Sequence, residues 1–206
     1  MGNTQSSAEE LCARAAACTE DEEKFRMYEQ ASALGSVVAT TWLGKFYEEG
    51  RGVAVDMEHA VELYTQAANL GYKRALNNLG YCYMHGMGVE LNYKRAVELF
   101  QQAGTGAALS NLGYCYQQGY GVEKSLKRAR ELFSQAAALG IVQAITHLAN
   151  ITEDNTEALR LYNRAAEAGN KDAMKILADI YTEGNRGVKK DIATALAWHQ
   201  KELSNQ

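Results

Sequence analysis

The chain has 206 residues, with 25 acids against 21 bases for a formal net charge of −4, and 47% of it is hydrophobic. Nucleic acid is disfavoured as a partner, because neutralising phosphates takes a surplus of Lys and Arg, and no run of eighteen apolar residues offers a membrane span. There is no proline, where average usage gives about ten, so nothing locks φ or removes a backbone donor and helix can follow helix.

The chain opens Met1-Gly2-Asn3-Thr4-Gln5-Ser6, which fits the N-myristoylation pattern M-G-x-x-x-[ST] with Gly2 as the acylated residue. Residues 1–7 read as a short flexible tail. One myristoyl chain gives only reversible membrane binding. The first 34 residues carry seven acids and three bases, so a polybasic second signal is absent. Cys12 is a weak palmitate acceptor, since it falls on a predicted helix. With no apolar signal region the expected compartment is intracellular and reducing, peripheral on the cytosolic face of a membrane. Cys12, Cys18, Cys82 and Cys115 follow no paired C-x-x-C spacing, so they read as free thiols rather than zinc ligands.

Residues 8–206 read as one array. Residues 39–47 read ATTWLGKFY, 75–83 ALNNLGYCY, 108–116 ALSNLGYCY and 173–181 AMKILADIY, with a weaker AITHLANI from Ala144. A second motif follows each one: DMEHAVELYTQAANLG from Asp56, NYKRAVELFQQAG from Asn92, SLKRARELFSQAAALG from Ser125, TEALRLYNRAAEAG from Thr156 and DIATALAWHQKEL from Asp191. KFRMYEQASALG from Lys24 is the same element. Six second motifs give six repeats, at about 8–38, 39–74, 75–107, 108–143, 144–172 and 173–206, the first with a degenerate opening helix.

The second motifs from Asp56, Asn92, Ser125 and Thr156 place Ala, Leu, aromatic and Ala at i, i+3, i+4 and i+7, as in Ala60, Leu63, Tyr64 and Ala67, and the last copy has Ala195, Trp198, His199 and Glu202 there. That is the stripe of an amphipathic helix. Asp56, Asn92, Ser125 and Asp191 stand just before it as predicted N-caps. The first motif carries Gly44, Gly80 and Gly113 inside a helix, where glycine costs about 1 kcal/mol relative to alanine. A recurrent small residue there predicts close helix–helix contact. The glycine pairs 50/52, 86/88, 119/121 and 184/187 predict turns with positive φ. Two copies depart from the pattern: the one from Ala144 lacks the glycine loop, with Thr152–Asp154 in its place, and the one from Ala75 ends early at Ala103–Gly104.

The pattern A-x-x-x-L-G-x-x-Y-x-x-G-x-G-V followed by A-x-x-L-Y-x-x-A-A-x-x-G resembles the Sel-one-like repeat family, tetratricopeptide-related helical hairpins. The resemblance covers roughly residues 20–203 at a fixed period. It implies an all-α fold, a right-handed α–α superhelix in which stacked hairpins share a continuous core. It also implies a scaffold or adaptor with no enzymatic activity and no cofactor, holding a protein or peptide on the face of the first helices. Carried over from the tetratricopeptide geometry, residues two before and two after the repeat leucine face inward. These are Thr41 and Lys45, Asn77 and Tyr81, Ser110 and Tyr114, Thr146 and Asn150, and Lys175 and Asp179. Glu48, Met84, Gln117 and Thr182 continue the rows.

No catalytic set emerges. His59, His85, His147 and His199 are scattered without metal-ligand spacing, so no metal is expected. The G-x-G pieces precede no strand and recur with the turns, so they read as turns rather than phosphate loops. No Ser-x-x-Lys occurs to support β-lactam chemistry. The alternative function kept open is a carrier of lipid or acyl chains; a small hydrolase is disfavoured. Tyr81 and Tyr114 occupy equivalent positions and are expected to contribute most to a groove, since tyrosine offers a large contact area with few torsions.

Overall fold

The computed structural model describes residues 2–204, with side chains from Ser7 onward. Among them there are twelve helices and no strand, and the fold class is an all-α helical-repeat solenoid. The helices are α1 (Gly2–Ala17), α2 (Asp21–Ala33), α3 (Val37–Glu49), α4 (Met57–Asn69), α5 (Lys73–His85) and α6 (Tyr93–Ala103). They continue as α7 (Gly106–Gln118), α8 (Leu126–Ala138), α9 (Val142–Asn150), α10 (Asn155–Glu167), α11 (Lys171–Glu183) and α12 (Ile192–Ser204). None of the helices is long and apolar enough to cross a membrane among the described residues. The chain divides into two compact units, residues 1–108 with 120–122, and residues 109–119 with 123–206.

In the first unit each helix from α1 to α6 packs against the next in sequence. Helix α1 takes in residues 2–6, which the sequence reading assigned to the tail. The described backbone begins at Gly2, the residue expected to be lipidated, and the described side chains begin at Ser7. Ala8, Ala15, Tyr28, Ala31, Ala39 and Phe46 form a core under α1–α3. Further on, the predicted stripe is buried: Ala60, Leu63, Tyr64 and Ala67 on α4, then Ala96, Leu99, Phe100 and Ala103 on α6. Burying one such leucine or phenylalanine stabilises by about 1.5–3 kcal/mol. Cys82 lies in the same interior, and burial pushes its thiol up to about 12.

The N-caps predicted for α4 and α6 are found, and Ser36, not predicted, caps α3. The His59 amide donates to Asp56 Oδ1 at 3.0 Å and the Arg95 amide to Asn92 Oδ1 at 3.0 Å. Each of the two predicted caps is also tied back to the preceding helix. Its own amide donates to a repeat tyrosine carbonyl, Asp56 to Tyr47 at 3.0 Å and Asn92 to Tyr83 at 2.9 Å. This bond and the left-handed glycine at the helix end, Gly86 at φ 66°, fix the hairpin angle.

Mid-helix glycines are explained by the partner ring. A Cβ on Gly80 would lie 2.7 Å from Phe100 Cε1, and one on Gly44 would lie 2.8 Å from Tyr64 Cε1. The second loop glycine has a further role that its φ alone did not reveal. A Cβ on Gly88 would meet the Met57 carbonyl oxygen at 2.2 Å, so the loop of one hairpin rests directly on the first turn of the previous hairpin's second helix.

The second unit repeats these features. Gly113 abuts Phe133, with a virtual Cβ 2.8 Å from the ring, and Ser125 accepts from the Arg128 amide at 3.2 Å. The Ser125 amide donates to Tyr116 at 2.9 Å, and the Asp191 amide to Tyr181 at 2.8 Å. Buried residues of α8–α11 share one core that includes Phe133, Ile145, Tyr162 and Leu177. In the copy from Ala144 the first helix shrinks to the nine residues of α9. Asp154 takes over as N-cap, accepting from the Glu157 amide at 2.7 Å. On α12 only Ala195 is buried, while Ile192, Leu196 and Leu203 are exposed. Cys115 is buried, its thiol pushed up to about 11. None of the four cysteines is in a disulfide. His147 stacks on Phe133, centroids 5.1 Å apart at 18°, and burial lowers its pKa below 6.5 while Asp172 pulls it the other way.

Two outcomes follow from this packing. Gly80→Ala gains about 1 kcal/mol of helix propensity but overpacks the Phe100 ring, at about 1–3 kcal/mol. The urea midpoint followed by circular dichroism should therefore fall, and Gly80→Ala with Phe100→Leu should regain part of it; a raised midpoint for the single variant would refute the packing role. For His147 the folded pKa lies below the unfolded one, so the unfolded chain binds the proton first. Stability is held above the ordinary value of 6.5 and lost as pH falls from there toward the lowered folded value. His147→Gln should flatten that acid-side decline in a pH series of melting curves.

Candidate functional site

The open face of α3 and α5 in the first unit carries two clefts that meet at Lys45. One, of about 230 Å³, is lined by Thr41, Trp42, Lys45, Glu49, Arg51, Arg74 and Asn78. The other, of about 260 Å³, is lined by Lys45, Glu48, Asn77, Asn78 and Tyr81. Lys45, Asn77 and Tyr81, expected from the repeat register, are thus brought together. The rows work because residues three and four apart share a helix face.

The charges here are organised. Lys45 Nζ donates to Glu48 at 2.6 Å and lies 3.2 Å from Glu49. Its pKa is raised by these two carboxylates against the opposing effect of burial, which is the largest single influence on it. Glu48 also accepts from the Tyr64 hydroxyl at 2.6 Å, so it links the cleft wall to the buried aromatic of α4. Burial, then this carboxylate, push the Tyr64 pKa upward. Arg51, in the glycine loop after α3, forks onto Asp21 at 2.6 and 3.0 Å and lies 4.6 Å over the Phe46 ring. The Asp21 carboxyl is held below its usual value chiefly by that hydrogen bond. Arg74 stacks on Trp42, 4.5 Å from the ring centroid. Behind Trp42 and Arg51, a smaller hollow of about 220 Å³ is walled by Ala15, Ala16, Lys24, Tyr28 and Phe46.

Other expected positions fall differently. Thr41 is 2% exposed and donates its hydroxyl to the Val37 carbonyl at 2.9 Å. Met84 is 5% exposed and Ser110 6%. These three, like Thr146, are buried and offer little contact surface, although Thr41 still forms part of the wall of the first cleft. The reason is geometric: a helix face wide enough to carry both rows also turns its edges into the neighbouring helices. Tyr81 is exposed, its ring 4.2 Å from that of His85. Tyr114 is half-buried against the core of the second unit, its ring 5.8 Å from His147. The two tyrosines are therefore not equivalent in environment. Gln117 is half-buried, and its Oε1 has no hydrogen-bond partner among the described residues. Lys175 and Asp179 are exposed on α11.

The second unit has its own cleft, about 620 Å³, lined by Asn150, Thr152, Glu153, Asn155, Tyr162, Ile176, Ile180, Asn185 and Arg186. The Tyr162 hydroxyl donates to Asn150 Oδ1 at 2.7 Å, and Arg186 lies 5.5 Å over the Tyr162 ring. The shortened connection of residues 152–154 forms one wall. Of these residues the register reading had found only Asn150. It also missed Trp42, Arg74 and Asn78. Arg74 stands five residues before Leu79, so extending the row N-terminally as well as C-terminally finds it. Among the described residues no three His, Cys, Asp or Glu side chains are grouped to hold a metal.

The Sel1 repeat profile matches residues 37–72, 73–105, 106–141, 148–170 and 171–201. A crystal structure of a Sel1 repeat protein from Oxalobacter formigenes is similar at TM-score 0.82 and 31% identity, over 89% of this chain and 77% of that one. A protective antigen of uropathogenic Escherichia coli strains, displaying an SLR fold, is similar at TM-score 0.66 and 31% identity. That match covers 90% of this chain but 42% of the antigen. An immunity protein from Pseudomonas aeruginosa shares the fold at TM-score 0.68 and 20% identity, over 96% of this chain and 81% of that one. No curated protein matches the chain. Five matched repeats spanning most of the sequence, on hairpins built from the glycine–aromatic contact, establish that the chain belongs to the Sel1 repeat family.

Proposed function

We propose that the protein is a non-enzymatic adaptor that holds a protein or peptide segment on the open face of its first helices, in the first unit on Lys45, Asn77 and Tyr81. Sel1 repeat proteins are generally protein-interaction scaffolds of non-enzymatic type. The observation that carries the finer reading is the pair of clefts meeting at Lys45, where an exposed tyrosine, two asparagine amides and charged groups converge on one surface. An extended segment laid across it finds donors and acceptors for its backbone and an aromatic ring for its side chains. Exposed tyrosine beside such polar groups is the residue type that carries interface energy.

The same reading includes a tether: Gly2 carries a myristoyl group and brings the adaptor to a cytosolic membrane surface. The Met1–Ser6 pattern supports it. Since one acyl chain binds a bilayer only marginally, the partner supplies the remaining affinity if it is itself membrane-bound.

Two measurements check this. Tyr81→Ala should weaken capture of a partner by about tenfold or more, equivalent to about 1.4 kcal/mol, with little change in melting, because the ring is exposed. Tyr114→Ala should instead lower the melting midpoint, since that ring packs on the core. Capture unaffected by Tyr81→Ala and by Lys45→Ala would sink the groove reading. For the tether, membrane fractionation of wild type and Gly2→Ala in a cell containing the transferase should differ; equal partitioning would rule it out.

A further inference from the structure

Three cations line the 230 Å³ cleft, and two of them are already satisfied. Lys45 is paired with Glu48 and Glu49, and Arg51 with Asp21 and Glu49. Arg74 differs. Its guanidinium stacks 4.5 Å over Trp42, and among the described residues it has no carboxylate partner. Trp42 is itself held in place, stacked on Tyr28 at 6.0 Å and 12° and packed on the core of α1–α3. Resting on the reading of this face as a partner-binding surface, we propose that Arg74 and Trp42 form a recognition site for an aspartate or glutamate side chain of an acidic partner segment.

The argument is one of geometry and charge. With its Cζ over the ring, the Arg74 guanidinium keeps N–H groups to offer, and a guanidinium fork matches a carboxylate through two parallel bonds. Because the ring beneath is fixed, little conformational freedom remains to be lost on binding. The cleft's volume suits one side chain: a cavity of about 150 Å³ holds a benzene, so 230 Å³ is room enough for a carboxylate with its methylenes. Asn78 lines the same cleft, its side chain held by a hydrogen bond to Tyr64. The backbone of the segment would lie outside, over the adjoining cleft with Asn77 and Tyr81. Glu49 in the wall sets the charge limit. One unpaired cation beside one acid favours a single negative charge over a dianionic phosphate, since the second charge meets repulsion. A chain of net charge −4 does not steer acidic segments from a distance, so the selectivity is local to Arg74.

The test follows the Trp42 indole N–H by nitrogen–proton NMR on the full chain, a resolvable probe because there are two tryptophans. An acetylated, amidated tetraglutamate peptide is titrated against the tetraglutamine analogue and against inorganic phosphate. The tetraglutamate should shift the Trp42 signal saturably, and the tetraglutamine should bind about tenfold more weakly or not at all. Arg74→Gln should abolish the shift without changing the melting curve. Arg74→Lys, which keeps the charge and loses the planar fork, should weaken it severalfold. A Trp42 signal that does not move, that moves equally in Arg74→Gln, or that responds as strongly to phosphate overturns the proposal. If a partner whose capture depends on Tyr81 binds Arg74→Gln normally, this inference fails while the adaptor reading stands. If tetraglutamate saturates Trp42 while no partner depends on Tyr81, the acidic side-chain site stands and the adaptor reading fails.

Discussion

The contact between a glycine in the first helix of a hairpin and an aromatic ring in the second is the constraint on which the rest of this structure depends. Gly44 against Tyr64, Gly80 against Phe100 and Gly113 against Phe133 repeat it, each leaving no room for a methyl group. The intrinsic cost of a helical glycine, about 1 kcal/mol, is offset by burying the whole ring, about 1.5–3 kcal/mol. That closeness lets the Ala–Leu–aromatic–Ala stripe reach the interior, and it fixes the spacing at which the next hairpin must dock.

The loop glycines divide between two tasks. The first of each pair ends a helix: Gly86 caps α5 in the left-handed region, which no β-carbon obstructs. In the pairs 50/52, 86/88 and 119/121 the second lies against the backbone of an earlier helix, whereas Gly187 has open space around it. At Gly88 the chain lies so close to the Met57 carbonyl that any side chain would collide, so two backbones touch where α4 begins. Gly121 stands in the same relation to Tyr93, with a virtual Cβ 2.5 Å from its carbonyl oxygen, which is why residues 120–122 group with the first unit although the rest of that loop does not.

The repeat period, the buried stripe, the caps and the turn glycines were all legible in the sequence, because each is a local rule applied several times over and repetition separates signal from chance. The close contact at Gly80 was legible as a requirement for a small residue, but its partner, Phe100, lies twenty residues on and could be named only once the hairpin closed. The face of the first helices was legible in part. Lys45, Asn77 and Tyr81 share a surface as their register requires. Thr41, Ser110 and Met84 lie at matching register positions and are buried, because register gives direction around a helix and not the depth to which a neighbour covers it. Trp42 and Arg74 were missed for the opposite reason. They gain their role from stacking across two helices, which no single-helix period encodes.

The same distinction separates the charges that build the fold from those left for binding. Along the outer faces Arg95 pairs with Glu98, Arg128 with Glu131 and Arg160 with Glu157, each three residues apart and each exposed. Such pairs contribute a few tenths of a kcal/mol and serve mainly to keep the face soluble. In the first-unit clefts the pairing is longer in range: Arg51 reaches back thirty residues to Asp21, and Glu48 joins Lys45 to the Tyr64 hydroxyl on the next helix. These bonds stiffen the cleft walls by tying α2, α3 with its following loop, and α4 together through polar groups. A wall stiffened in this way holds its remaining unpaired group in a defined place, and preorganisation of that kind is what turns a solvated surface arginine into a selective one.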